Sequence, residues 1–200
     1  MEPIISKAEA EKIKNLEGEV IGDVIRTKAL YVLERKGEHG VEKLEQAVKE
    51  AGYSVDYNKL DRMKFYPIGL EIATLVAMEK IFEFKDEDFK EMGAIEAKLT
   101  TLMRFFMRYF VSLDRVAKEA PGMWRKVYTV GELKVSEINK EENYMKIRLE
   151  DFPFTPILCR AHEGWFAELI HVVLNKDVSC REVKCNFKGD EYHEFIARWQ

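Results

Sequence analysis

Cysteine is scarce in this chain. Only Cys159, Cys180 and Cys185 occur in 200 residues. A low, odd count argues against a secreted disulfide framework and for a cytoplasmic setting. Glutamine is scarcer still: Gln46 and Gln200 stand against abundant Lys and Glu, a bias that fits a thermophile. No run approaches the roughly 18 apolar residues needed to span a bilayer. The N-terminal MEPIISKAEAEKIKNLEGE has no basic stretch followed by an apolar one, so no signal peptide is expected. Positive charge is not in excess either. The net charge is −4, so no general attraction to nucleic acid is expected. The chain also lacks an internal repeat, a glycine-rich phosphate loop, a basic and aromatic RNA-binding pattern and a defensible pair of catalytic carboxylates.

What is present is an ordinary core-forming composition, 46% hydrophobic and 34% charged, long enough for one compact domain. The first part reads as helical. Val20, Ile21, Val24, Ile25, Leu30 and Leu33 predict a helix over 20–36 that stops at Gly37. VEKLEQAVKEAG predicts a second, ending at Gly52. A turn and a short extended segment follow, and Pro67 opens a well-buried helix over 68–82. Another helix is expected from Asp86, whose side chain is a candidate cap. Leu102, Phe105, Phe106, Tyr109, Leu113 and Val116 then share one helical face, with Arg104, Arg108 and Arg115 largely off it, and Pro121 and Gly122 are expected to end that helix.

Beyond residue 122 the period changes to two. Met145, Ile147 and Leu149 alternate with Lys146, Arg148 and Glu150, and NKEEN is a hairpin loop. After Pro153 and Pro156 comes one long helix, then two closing strands around KGD. The expected fold class is α+β: an N-terminal helical layer packed on a C-terminal twisted antiparallel sheet with one inserted long helix. One domain over 1–200 is expected, mainly helical over 1–120, with the sheet, the inserted helix and the last hairpin over 121–200.

That hairpin, CREVKCNFKGDEYHEF over 180–195, carries the chemistry. A turn centred near Gly189 sets Cys185 opposite His193, with Cβ atoms roughly 4.5–5.5 Å apart. A thiolate and an imidazole so placed can share one metal ion. The remaining ligands must come from elsewhere: Cys180 and Glu182 are near in sequence, and Cys159 lies near the start of the preceding helix. Glu182 and Cys185 are three apart, so in a regular strand they face opposite ways. Both reach one metal only through a bulge, a twist or a curled Glu side chain. Cys180 has the same difficulty relative to Cys185. Spacing alone therefore ranks Cys185 and His193 first and leaves the others open.

The run Cys159-Arg-Ala-His-Glu-Gly164, then Glu182-Val-Lys-Cys185, Gly189-Asp190 and His193-Glu-Phe195, resembles the 4-vinyl-reductase-like domain family over residues 156–198. Residues 18–155 match it loosely. The same fold is shared with haem nitric-oxide sensor domains and small subunits of a Golgi tethering complex. The resemblance implies a helical layer on a twisted sheet, an apolar ligand cavity between them, and a zinc ion held by Cys159, Glu182, Cys185 and His193. His193 departs from the family, which usually has Cys there. Four protein ligands leave no open position, so the implied zinc is structural. It would pin the final hairpin to the helix that starts near Cys159.

Other candidates carry less. Cys159 and His162 share a helix face, but no third residue orients them as a nucleophile pair. His39 lies in a glycine loop and reads as solvated. None of the four histidines stands in the tyrosine-serine-arginine setting of haem-ligating gas sensors. Phe105, Tyr109, Trp124, Tyr128, Phe154 and Trp165 are candidate lining of a hydrophobic cavity, although an aromatic stripe at helical spacing is more commonly core. The expected function is a stand-alone sensory or carrier module for a small hydrophobic ligand. It is expected to dimerise through the helix at 20–36 and to act through a separate effector protein. The alternatives are an enzyme related to tetrapyrrole vinyl reduction and an assembly subunit.

Overall fold

Ser6 starts the first helix by a reciprocal cap. Its hydroxyl accepts the Glu9 N–H, and the Glu9 carboxylate accepts the Ser6 N–H, the pattern of a capping box. The computed structural model describes residues 3–100, 112–152 and 155–200. It divides into two compact units, Met1–Asp88 and Phe89–Gln200. Most of the helical face expected over 102–116, with Phe105 and Tyr109, lies outside the described residues, as does Phe154.

The first unit holds α1 (Lys7–Lys14), β1 (Glu19–Ile21), α2 (Gly22–Glu50), a 3-10 turn (Tyr57–Lys59), β2 (Phe65–Pro67) and α3 (Ile68–Phe82). Val20 and Ile21 are strand rather than helix, because β1 pairs antiparallel with β2. The first free N–H groups of α2, on Gly22 and Asp23, donate to the carbonyls of Lys64 and Arg62. Gly37 interrupts α2 as expected, with φ 70° and ψ −174°. That backbone favours glycine. α3 starts directly after Pro67 and is buried on every side over most of its length. It is joined to α1 by Lys80 and Glu9 (2.7 Å).

Inside this unit α2 and α3 share a buried ion pair. Lys28 Nζ lies 2.7 Å from Glu71 Oε1, and the two side chains are 1% and 0% exposed. Both charges have lost their water, so each depends on the other.

The division between the units falls inside α4 (Asp86–Leu99). Asp86 is its first residue, and Asp88 rather than Asp86 accepts a flanking backbone N–H, that of Lys85. The second unit continues with α5 (Leu113–Val127), β3 (Glu132–Asn139), β4 (Tyr144–Glu150), α6 (Pro156–Leu174), β5 (Val178–Lys184), a 3-10 turn (Asn186–Lys188) and β6 (His193–Trp199). Pro121 and Gly122 do not end α5, which runs on to Val127. A proline inside a helix forfeits one bond four residues back. Here burial of Leu113, Val116, Ala120, Met123 and Trp124 on one face outweighs that loss. The stretch Trp124–Val127 is accordingly helix, and period-two patterning takes over only at β3.

The four-stranded sheet is antiparallel throughout, in the order β3-β4-β6-β5. α5 packs on β3, and α6 on β5 and β6. One sheet face buries Leu133, Met145, Ile147, Leu149, Phe195 and Ala197. The other carries Lys134, Lys146, Arg148, Glu150 and Arg198, in agreement with the alternation read from the sequence. Helices and antiparallel sheets occur together, so the fold is α+β.

α4 and α6 cross at two glycines. A Cβ on Gly93 would collide with the Ala161 carbonyl, and one on Gly164 with the Lys90 carbonyl. The close approach explains the glycine five residues after Cys159. It also brings Lys90 Nζ to 3.2 Å from Glu163 Oε2.

Gly164→Ala should lower stability by about 3 kcal/mol, because both colliding groups are backbone and neither can turn aside. Thermal melting of that variant checks this. Lys28→Met alone should cost about 3–5 kcal/mol by removing the cation beside the buried Glu71 carboxylate, whereas Lys28→Met with Glu71→Leu should recover most of the loss. Urea unfolding of the two single variants and the pair measures this coupling.

Candidate metal centre

Three elements converge on one spot in the second unit. Thr155 caps α6 by accepting the Ile157 N–H, with Pro156 at the first helical position. This places Cys159 one turn in, facing the sheet and 4% exposed. β5 brings Glu182, and its end brings Cys185. β6 opens with His193, paired across the ladder with Leu149.

The hairpin is centred where the sequence predicts. Lys184 pairs with Glu194 about the Gly189 turn, so Cys185 and His193 come next. Gly189 has φ 94°, and the Asp190 carboxylate accepts the Cys185 N–H at 2.8 Å. Further up, the register changes: Glu182 pairs with Phe195, and Val183 is the extra residue of a bulge. A bulge adds one residue to one strand and flips the facing of the residues beyond it. Glu182 and Cys185 therefore face the same way. Val183 is turned out and is 51% exposed.

One ligand atom from each of Cys159, Glu182, Cys185 and His193 lies within 4.8 Å of all the others. His193 Nδ1 is 2.8 Å from Glu182 Oε1 and 3.6 Å from Cys159 Sγ. A tetrahedral zinc with ordinary bond lengths sets a sulfur and a nitrogen about 3.6 Å apart, and an oxygen and a nitrogen about 3.3 Å apart. The sulfur–nitrogen edge already has that length, and the oxygen–nitrogen edge must open by about half an ångström. The Cys185 thiol, the His193 ring and the Glu182 side chain are 3%, 2% and 2% exposed. The donor set and its spacing fit a zinc-sized ion.

Burial governs the protonation of this cluster. It pushes the Cys159 thiol well above its ordinary value, and the Glu182 carboxylate and Cys185 push it further. Cys185 is raised for the same first reason. Burial also works to raise Glu182. Hydrogen bonds from His193 and both thiols, with the charge of Arg160, outweigh it and hold the carboxyl below its usual range. With Glu182 ionised, His193 donates from Nδ1. Its Nε2 is buried and lacks a hydrogen-bond partner among the described residues.

Sequence reasoning missed the layer around the ligands. Arg160 Nη2 lies 2.6 Å from Glu182 Oε2 and its Nη1 2.8 Å from Glu163 Oε1. Glu163 also accepts the Glu182 N–H at 2.8 Å. The available signal was an oppositely charged pair three residues apart, Arg160 and Glu163, in a largely apolar helix. Cys180 is buried opposite Ala197, outside the four-residue cluster, beside Glu163.

The aromatic candidates are placed elsewhere. Trp124 and Tyr128 stack with ring centres 4.6 Å apart, and Phe152 meets both edge-on. His162 sits among Trp124, Phe152, Phe166 and Phe195, each within 6.2 Å between ring centres. Trp124 Nε1 donates to the Val130 carbonyl. Trp165 packs against Phe166 and the cluster of Val116, Met123 and Leu169. Trp124, Tyr128 and Phe152 are buried and touch one another, and Trp165 is partly buried. Among the other histidines, His39 is exposed beside Glu42 and His171 Nδ1 meets the Lys176 carbonyl.

No family model and no curated protein matches the chain. Solved structures do. An H-NOX domain from Shewanella oneidensis in the Fe(II)CO state is 12% identical, with a TM-score of 0.67, covering 90% of this chain and 98% of that one. The unliganded Fe(II) H-NOX protein from K. algicida is 12% identical, with a TM-score of 0.63, over 89% and 96%. An oxygen-binding H-NOX domain related to soluble guanylate cyclases is 10% identical, with a TM-score of 0.61, over 90% and 94%. A haem iron needs an axial donor at the edge of a cavity. Among the described residues, His193 is engaged with Glu182 and Cys159, His171 with a carbonyl, His162 is enclosed by rings and His39 is on the surface. At these identities the likeness is one of fold: the chain has the α+β fold of these H-NOX domains.

Proposed function

We propose that this chain is a small-ligand sensor or carrier domain whose last hairpin is clamped by a structural zinc ion on Cys159, Glu182, Cys185 and His193. The observation that carries the metal reading is the convergence of those four donors within 4.8 Å, buried and drawn from α6, β5 and β6 and the turn between the two strands. Two thiols and an imidazole select a borderline-soft ion such as zinc over magnesium or calcium. Four protein donors leave no position for substrate, so the ion holds structure rather than performing chemistry. The sensor reading is supported by the fold shared with domains solved with carbon monoxide and oxygen, and by the resemblance of residues 156–198 to the 4-vinyl-reductase-like family. A small apolar molecule is the ligand class, and an effector protein receives the output.

The metal stabilises the folded state. An ion bound only by the folded hairpin adds its binding free energy to folding. Native mass spectrometry with elemental analysis of the purified protein should find one zinc per chain. Cys185→Ser should lose it and melt lower by on the order of 10 °C, since each kcal/mol shifts a chain of this size by about 2–4 °C. If that variant keeps both metal and melting temperature, the ligand assignment is wrong.

Acid should release the ion. Burial raises both thiols in the metal-free protein, so both are protonated near neutrality and binding must expel two protons. Apparent affinity should therefore fall by up to about a hundredfold for each pH unit lost. Competition with a chromophoric chelator between pH 8 and pH 6 measures the slope.

A further inference from the structure

The carboxylate among the four ligands is held in an unusual way. Glu182 has two oxygens, and Oε1 lies in the cluster, 2.8 Å from His193 Nδ1. The other, Oε2, is taken by Arg160 Nη2 at 2.6 Å. The same guanidinium reaches Glu163 through Nη1 at 2.8 Å. Glu163, with its side chain 2% exposed, accepts the backbone N–H of Glu182 at 2.8 Å and lies 3.2 Å from Lys90 Nζ. Glu182 is thus fixed at its main chain by Glu163 and at its second oxygen by Arg160. A planar guanidinium suits this double role, since its donors diverge in a rigid fork.

We propose that Arg160, anchored by Glu163, is the specificity-determining positioning residue of this centre: it confines Glu182 to one oxygen and thereby imposes four-coordination. This rests on the metal reading above. A free carboxylate chelates a large ion through both oxygens, and a fifth donor favours ions larger than zinc. With Oε2 occupied, the site offers two sulfurs, one nitrogen and one oxygen, a tetrahedral set. Charge points the same way. Two thiolates and one carboxylate leave a divalent ion with one negative charge in excess, in a buried place where that excess is costly. The Arg160 cation balances it without touching the metal.

Cobalt(II) tests this, because its visible bands report coordination number. The wild-type protein should take up one cobalt with the intense bands of a tetrahedral ion. Arg160→Met should bind cobalt about 10–100-fold more weakly. Its visible bands should weaken and move to shorter wavelength as Glu182 becomes bidentate, and its preference for cadmium over cobalt should rise. Arg160→Lys keeps the charge but not the fork, and should lie between the two. Glu163→Gln keeps an acceptor for the Glu182 N–H and removes the anion that aims Arg160. It should shift the bands in the same direction, and it carries the test if Arg160→Met does not fold. A merely structural role would lower the melting temperature and leave the bands unchanged. Unchanged affinity and bands in the folded Arg160 and Glu163 variants overturn this inference alone. A wild-type protein that takes up no cobalt overturns the metal reading, and this one with it.

Discussion

One extra residue in one strand decides the geometry of the C-terminal site. In a regular ladder Glu182 and Cys185 would point to opposite faces of the sheet. The bulge at Val183 turns both to the face that α6 covers, where Cys159 waits one turn into the helix. Without it the same residues would be scattered across two sides of the sheet. The bulge leaves Val183 exposed, a small loss of apolar burial set against the gathering of four donors.

Gathering them creates an electrostatic problem that the surrounding residues answer. Thiols, a carboxylate and an imidazole are crowded where water is excluded, and the immediate result is two thiols that hold their protons. Arg160, Glu163 and Lys90 form a chain of alternating charge beside them. It reaches Glu182 at both backbone and side chain. The first unit meets the same difficulty with Lys28 and Glu71, where two elements each carry one half of a buried pair. In both places a buried charge is tolerated because its partner arrives on a different helix or strand. Each pair therefore also specifies which elements must meet.

The glycines belong to the same account. Gly93 and Gly164 let α4 and α6 approach backbone to backbone, and that approach carries Lys90 to Glu163. The position of the hairpin, the aim of Glu182 and the crossing of two helices are consequently linked.

Much of this was readable in advance. Period-two alternation located β4, helical spacing located α3 and α6, and Gly37 marked its own break, because each depends on local backbone preference or on one buried face. The turn at Gly189 and the opposition of Cys185 and His193 came from counting residues. Sequence logic faltered where packing overrode local signals. Pro121 did not stop α5, since Trp124 and Met123 gained more from burial than one lost hydrogen bond cost. Val20 and Ile21 became a strand because a distant segment, Phe65–Pro67, was there to pair with them. By itself the sequence determined the α+β order of elements and the opposition of Cys185 and His193, which rest on residue type and spacing, whereas Cys159 and Glu182 were singled out by a family resemblance. Only the tertiary structure decided that Glu182 shares a face with Cys185 and that Arg160 holds its second oxygen. A bulge, and a contact between residues 22 apart, have no signature in local periodicity.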